Sequence, residues 1–139
     1  MILLDINVVS ELMKPVCNSN VERWIDAQIA ESLFLSATSL SELLVGIEMM
    51  PTERRKQSFT WSLDEVVNRV LGGRVLPFDA SAAHAYASLM ARARSRGRSI
   101  ALLDGQIAAI ATVHGFSVAT RDTSPFEAGG VRFINPWMT

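Results

Sequence analysis

Short runs of apolar residues recur along the chain, and longer segments with apolar positions at helical spacing separate them. A run of three or four apolar residues is typical of a strand that is buried on both faces. Pro77 suits the end of such a run, because proline cannot donate a hydrogen bond to a sheet. The pattern predicts five strands, at residues 1–4, 33–36, 75–78, 117–119 and 131–134.

Six segments beside these runs are predicted to be helices. Apolar residues of the second segment fall on one helical face, and Gly97 and Gly115 end two of the others. Strands that alternate with helices indicate an α/β fold, with a central parallel sheet of about five strands. A chain of 139 residues is expected to form a single domain, residues 1–139, since domains span roughly 100–200 residues. The predicted helices are 7–13, 21–30, 39–50, 52–71, 81–96 and 104–114.

Composition narrows the class of protein. Apolar residues make up 49% of the chain and charged residues 19%, a balance that excludes a disordered chain. The single cysteine, Cys17, excludes an internal disulfide and a cysteine-based zinc site, and it fits a reducing cytoplasm. The longest stretch without charge, residues 105–120, is too short for a membrane span, so we expect no membrane contact.

The formal net charge of -1 is unevenly distributed along the chain. Residues 1–50 hold seven acidic and two basic side chains, whereas residues 51–100 hold four acidic and nine basic ones. Asymmetry of this kind indicates two surfaces of opposite sign. The small net charge therefore does not exclude a nucleic-acid partner.

Four acidic residues lie at junctions where chemistry is expected, because open parallel sheets bind ligands at the carboxyl ends of their strands. Asp5 and Asp122 follow the first and fourth predicted strands, Glu42 lies about one turn into the helix after the second strand, and Asp104 opens a later helix. Each also has a structural interpretation. Asp5 and Asp104 would be helix N-caps, and Asp122 a turn residue. Glu42 would pair with Ser39 in a capping box.

Carboxylates that lie close together repel one another unless a cation joins them. Oxygen ligands without a cysteine cluster or a histidine pair favour a hard cation, Mg²⁺ or Mn²⁺. Such a cation activates water and stabilises the charge that develops on a phosphoryl group. The four acids together favour metal-dependent hydrolysis of a phosphoester.

Several ordered segments resemble the PIN-domain family, most closely the VapC and FitB type of toxin ribonuclease in bacterial type II toxin–antitoxin pairs. The similarity covers nearly the whole chain, and the ordered set is more specific than any one segment. The segments are Met1-Ile2-Leu3-Leu4-Asp5-Ile6-Asn7, Leu35-Ser36-Ala37 with Ser41-Glu42-Leu43 and Gly46, Asp104-Gly105-Gln106-Ile107-Ala108-Ala109-Ile110-Ala111, Ala119-Thr120-Arg121-Asp122 and Ile134-Asn135-Pro136-Trp137.

The resemblance implies a PIN-like three-layer fold, with helices on both faces of the sheet. It implies an endoribonuclease that depends on Mg²⁺ or Mn²⁺ and leaves a 5′-phosphate and a 3′-hydroxyl. The chain departs from the family at Ile6, where threonine is common, and at Asp122, where many members have asparagine. By resemblance, the catalytic and metal-binding residues are Asp5, Glu42, Asp104 and Asp122, and the supporting residues are Asn7 and Thr120.

The resemblance also implies partners. They are a second copy of the chain in a homodimer, an RNA substrate and a small cognate antitoxin, with operator DNA reached only through the antitoxin, all in the bacterial cytoplasm. The tail of the antitoxin would occupy a hydrophobic groove and place a basic residue in the acidic pocket. The helices of residues 21–30 and 39–71 would wall the groove, because Trp24, Met49 and Trp61 are expected to be exposed.

Four arginines, Arg92, Arg94, Arg96 and Arg98, alternate around Gly97. The favoured interpretation is a solvated helix end, where cations meet the negative pole of the helix dipole. The alternative is a patch that contacts RNA, since arginine pairs well with phosphate.

Two other functions compete with the ribonuclease. One is another Mg²⁺-dependent phosphohydrolase or a receiver domain on a similar sheet, which would also use an Asp after the first strand. Asn7 stands where a haloacid-type phosphatase needs a second Asp, and no lysine follows Lys56, as a receiver would need. The other is a non-catalytic dimer that acts with its antitoxin in transcriptional autoregulation.

Overall fold

The computed structural model describes all of residues 1–139. The strands are β1 (Ile2–Leu4), β2 (Leu33–Ser36), β3 (Val75–Leu76), β4 (Ser117–Ala119) and β5 (Phe133–Ile134). They form one sheet in the order β3-β2-β1-β4-β5, and every neighbouring pair is parallel. The predicted α/β class and the five-stranded parallel sheet are confirmed.

Seven α-helices surround the sheet. A π-helical segment, Val66–Val70, continues the fourth helix, and 3-10 turns cover Ala30–Ser32 and Pro136–Met138. None of the helices is both long and apolar enough to span a bilayer. The helices are α1 (Ile6–Leu12), α2 (Ser19–Asp26), α3 (Ala37–Glu48), α4 (Glu53–Glu65), α5 (Ala80–Ser95), α6 (Leu102–His114) and α7 (Ser124–Ala128).

Successive residues of a strand face opposite sides of the sheet, and this alternation divides the core in two. Leu3 packs in one core with residues of α5, α6 and α7, whereas Leu4 packs in the other with residues of α1, α2, α3 and α4. The register aligns Leu3 with Phe34 and Val118, so these strands present the same face to the first core. The sheet therefore lies between two layers of helices, as the three-layer expectation requires.

Helices α5 and α6 lie close together because a glycine, Gly105, occupies the fourth position of α6. A Cβ atom at Gly105 would lie 2.8 Å from Cε2 of Tyr86 and 3.2 Å from the sulfur of Met90. A side chain at this position would push the two helices apart or displace the tyrosine ring. The contact fixes the start of α6, which carries Asp104.

Several predicted boundaries differ from the structure, and two of the differences have a clear local reason. The helix predicted to reach residue 30 ends at Asp26, where the Gln28 side chain donates to the carbonyl of Trp24 at 3.0 Å. The last strand begins at Phe133 rather than at Val131, because the Val131 N–H donates to the carbonyl of Phe126 at 2.9 Å. Val131 therefore belongs to the turn that follows α7, a helix that the apolar pattern did not predict.

Candidate functional site

The central strand β1 and its neighbour β4 bring Asp5 and Asp122 to one edge of the sheet. Asp5 directly follows β1, and its backbone N–H donates to the carbonyl of Ala119 at the end of β4, at 2.9 Å. Asp122 lies three residues after Ala119. Asp5 is also the N-cap of α1, since its Oδ1 accepts from the N–H of Ile6 at 2.8 Å. The capping interpretation of Asp5 is therefore confirmed, and it leaves the second carboxylate oxygen for other partners.

A small network of polar side chains orients that second oxygen. The Thr120 hydroxyl, which is fully buried, donates to Oδ2 of Asp5 at 2.7 Å. The Asn7 amide lies 3.5 Å from the same oxygen and 3.4 Å from the Thr120 hydroxyl. The Asn7 carbonyl oxygen accepts from the N–H of Arg121 at 3.1 Å. Asn7 and Thr120 thus tie Asp5 to the loop that carries Asp122.

The pKa values of Asp5 and Asp104 are both raised, because the two carboxyl groups are buried near other acids. Asp5 is 3% exposed, and burial is the main cause that raises its pKa; the charge of Asp122 raises it further, against hydrogen bonds from Thr120 and Ile6 that lower it. Partial burial also raises the pKa of Asp104, with further contributions from the charges of Asp5 and Asp122. The three aspartates therefore lie within electrostatic reach of one another.

Asp5, Glu42 and Asp104 line one cavity of about 290 Å³, which we call the acidic cavity. Ser39 and the first turn of α6 complete its wall, while Asp122 lies outside the lining. Burial falls from the buried Asp5 through the half-buried Asp104 to the exposed Glu42. The cavity thus has a buried acid in its wall and a more exposed one at its rim.

The structural interpretations of Glu42 and Asp104 are wrong. The N-cap of α3 is Ser36, whose hydroxyl oxygen accepts from the N–H of Ser39 at 2.9 Å, so Glu42 forms no capping box with Ser39. The N-cap of α6 is Ala101, and Asp104 lies within the first turn. Neither Glu42 nor Asp104 therefore caps the helix that carries it.

The fit of this cavity to a divalent cation rests on its donor chemistry. No three histidine, cysteine, aspartate or glutamate side chains are grouped to hold a metal ion as they stand, and the carboxylate of Asp5 is engaged with Ile6 and Thr120. The polar side chains of the wall are nevertheless carboxylates and a serine, without histidine or cysteine. Oxygen donors of this kind suit a hard cation. Such a cation would relieve the repulsion from Asp5 and Asp122 that adds to the effect of burial on the pKa of Asp104.

The four arginines do not form a single patch. Arg92 and Arg96 line a cleft of about 160 Å³ together with Gly129 and Gly130, which we call the arginine cleft. Arg98 lies 3.4 Å from the Ser124 hydroxyl, at the start of α7. None of the four arginines forms an ion pair. The cleft therefore joins the end of α5 to the segment that follows Asp122.

An apolar groove of about 270 Å³ adjoins the acidic cavity and shares Ile6 and Glu42 with it. Its walls come from α1, α3 and α4, and the helix of residues 21–30, which was expected to form a wall of the antitoxin groove, contributes no residue to it. Trp24 is 9% exposed and packs in the core, whereas the predicted exposure of Met49 and Trp61 is confirmed. The groove is lined by Ile6, Ser10, Met13, Glu42, Leu43, Gly46, Ile47, Met50 and Phe59.

Two features of the site were missed by sequence reasoning. Thr38 at the start of α3 hydrogen-bonds to the Gln106 side chain of α6 at 3.1 Å, which joins the two helices that carry Glu42 and Asp104. Ser39 lies in the wall of the acidic cavity. Ser39 lies three residues before Glu42, so both are on one side of the helix. This spacing was the sequence feature that could have identified Ser39 as a site residue.

Comparison with known proteins assigns a family to this geometry. The family model of the PIN domain matches residues 2–130. The chain is 53% identical over 137 residues to VapC ribonuclease Y4jK of Sinorhizobium fredii, covering 99% of this chain and 98% of that protein. It is 41% identical over 137 residues to Toxin FitB of Neisseria gonorrhoeae, covering 99% of each. The structure of FitAB bound to a DNA fragment superposes with a TM-score of 0.90 at 39% identity, over 99% of this chain and 96% of that one.

Proposed function

The chain belongs to the PIN-domain family, and we propose that it is a metal-dependent endoribonuclease that acts as the toxin of a toxin–antitoxin pair. The observation that carries the proposal is the acidic cavity, where Asp5, Glu42 and Asp104 meet at the end of the central strands. The names of two relatives, a VapC ribonuclease and Toxin FitB, support the reaction and the biological role.

We assign Asp5, Asp104 and Asp122 as the residues that would hold Mg²⁺ or Mn²⁺, with Glu42 as a further ligand or as the group that orients the attacking water. When bound, a divalent cation lowers the pKa of a water molecule and stabilises charge on the phosphate. Thr120 and Asn7 hold the Asp5 carboxylate in place, so they act as supporting residues.

A cleavage assay with purified chain tests this function. We expect RNA to be cut in the presence of Mn²⁺, to leave 5′-phosphate and 3′-hydroxyl ends, and to stay intact in the presence of EDTA. Sequencing of RNA ends after brief induction in cells would identify the target. Hydrolysis of a phosphatase substrate without cleavage of RNA would favour the alternative phosphohydrolase. If the chain hydrolyses neither RNA nor the phosphatase substrate, the non-catalytic dimer is favoured.

The partner we propose for the apolar groove is a segment of a small antitoxin. The groove opens beside the acidic cavity, so apolar side chains in it would bring a neighbouring basic side chain to Glu42. The DNA-bound structure of FitAB supports contact with operator DNA through the antitoxin. We also propose a homodimer, since exposed apolar side chains such as Val45 and Leu102 remain outside the groove.

The arginine cleft is our candidate for the RNA backbone. Arg92 and Arg96 have no acidic partner within salt-bridge distance, and Arg98 contacts the segment that follows Asp122. Guanidinium groups without a counterion attract phosphate, and such contacts make binding depend on salt. The cleft thus lies where a strand that crosses the Asp122 loop would place its phosphates.

Replacement of both Arg92 and Arg96 by Gln should weaken RNA binding and its salt dependence. Each phosphate contact of a single strand contributes about -0.7 to the slope of log K against log salt, so the slope should become less negative by about 1.4. Binding is measured with a cleavage-deficient Asp5→Asn background. Replacement of Arg54 and Arg55, at the start of α4, is the matched control. Equal slopes for the two double variants would contradict the assignment.

A further inference from the structure

One buried polar side chain in the structure has no hydrogen-bond partner, and it lies in the wall of the acidic cavity. The hydroxyl oxygen of Ser39 is inaccessible and unpaired, and the residue is 0% exposed. Among the buried side-chain oxygens and nitrogens of the chain it is the only such atom. Native proteins pair nearly all buried polar groups, so an exception calls for a physical explanation.

The neighbouring hydroxyls show how unusual Ser39 is within its own segment. Ser36 caps α3, Thr38 bonds to Gln106, and Ser41 donates to the carbonyl of Thr38 at 2.7 Å. A helical serine often satisfies itself by bonding to the carbonyl four residues earlier, but Ser39 makes no such bond. Its hydrogen-bonding capacity is therefore not used by any group of the protein.

The cavity has room and chemistry for a polar occupant. Its volume of about 290 Å³ exceeds several times the roughly 30 Å³ that a water molecule takes up in the liquid. Asp5, Glu42 and Asp104 line the same wall, and all three are acceptors when ionised. A hydroxyl differs from them because it both donates and accepts. Because the Ser39 hydroxyl is inaccessible as it stands, its contact with an occupant of the cavity requires rotation about the Cα–Cβ bond into another staggered rotamer.

From this we propose that the Ser39 hydroxyl hydrogen-bonds to the water molecule that attacks RNA and fixes its position between the carboxylates. The inference rests on the proposed ribonuclease function and adds a residue to it. Ser39 holds the water by one hydrogen bond while Glu42, three residues later on the same helix, accepts from it. No bond is formed or broken at Ser39, and the side chain stays neutral throughout.

The test compares Ser39→Ala with Ser39→Thr, which keeps the hydroxyl, and with Ser41→Ala, a matched control on the same helix outside the cavity. For Ser39→Ala we expect kcat to fall about 10- to 100-fold, as for other losses of orientation, with KM within twofold of the parent. The Tm without metal should stay level or rise, because an unpaired buried group is removed. The Mn²⁺ affinity measured by calorimetry should be unchanged.

Ser39→Thr should recover most of kcat, and Ser41→Ala should match the parent. A kcat for Ser39→Ala within twofold of the parent would overturn the inference while the ribonuclease function stands. A lower Tm with a loss of kcat that threonine does not restore would mark Ser39 as structural and overturn it too. A parent chain that cleaves no RNA with Mn²⁺ refutes the proposed function, and the assignment of Ser39 then falls with it.

Discussion

Replacement of Asp5 by Asn should reduce RNA cleavage by at least about a thousandfold, or roughly 4 kcal/mol of transition-state stabilisation. Asparagine has nearly the same shape and still accepts the hydrogen bond from Ile6, so the fold should survive. What it lacks is the negative charge that a divalent cation needs in this buried position, where Asp5 is 3% exposed. The measurement is kcat/KM for RNA cleavage with saturating Mn²⁺.

The same variant has a thermodynamic signature that separates loss of charge from loss of structure. Burial raises the pKa of Asp5 above 3.8 in the folded chain, so the folded state holds the proton more tightly than the unfolded state. Without metal, the stability of the parent should therefore fall as pH rises from about 3.8 through the folded pKa. Asp5→Asn should lose the Asp5 part of this fall and keep a reduced part from Asp104, whose pKa is still raised by burial and by Asp122 but no longer by the charge of Asp5.

Two controls sharpen the experiment. Asp79→Asn replaces an aspartate that caps α5 through Ala82, and asparagine caps about equally well, so activity and stability should stay near those of the parent. Added Mn²⁺ should raise the Tm of the parent, because a ligand that binds only the folded state stabilises it, and should raise that of Asp5→Asn much less. Parental activity in Asp5→Asn would remove Asp5 from the site.

Phe126→Ala should be among the most destabilising single substitutions in the chain. Phe126 is fully buried in the core beneath α5 and α6, and removal of a buried phenyl ring costs about 3–5 kcal/mol. Denaturant unfolding without metal gives the change in free energy of unfolding. The matched control is Phe59→Ala, since Phe59 is 36% exposed on α4 and should cost less than about 1.5 kcal/mol.

The position of Phe126 extends this prediction to the site. It lies four residues after Asp122, and its carbonyl accepts from Val131 at the end of α7. A cavity under α7 should loosen the segment that runs from Asp122 to the arginine cleft, so RNA cleavage should fall even in the fraction that stays folded. If Phe126→Ala loses no more stability than Phe59→Ala, the core must have repacked to fill the space that the Phe126 ring leaves.

The bounds of a strand or helix could be predicted where a local sequence pattern, such as an apolar run, determines them. Strands β2 and β4 begin and end at the predicted residues, because each is an apolar run that both cores bury. Helix α7 was not predicted, although Pro125 near its start and Gly129 beyond its end are typical helix signals. Five residues are too few to show a helical period, and the burial of Phe126 that stabilises the helix depends on the distant α5 and α6.

The site was predictable to the extent that topology alone determines it. Parallel strands bring their carboxyl ends to one edge, so Asp5 and Asp122 were expected to meet there with Asp104 from the start of α6. The helix of residues 21–30 was expected to wall the groove, because Trp24 looks like a surface residue in an amphipathic segment. In the structure Trp24 is buried in the core that also holds Val8 and Val9 of α1. The unpaired hydroxyl of Ser39 likewise depends on neighbours that sequence spacing does not specify.

The order of the strands has a consequence for the moment at which this protein becomes active during its own synthesis. The central strand β1 is made first, but one of its two neighbours, β4, ends at Ala119, and Asp122 follows later still. A nascent chain on the ribosome can pair β1 with β2 early, yet Asp104 is missing until about three-quarters of the sequence has been made, and Asp122 is missing until the last fifth is being made. Under the proposed ribonuclease function, the acidic site would be completed only when most of the chain has been made, so cleavage of the message being translated would begin late.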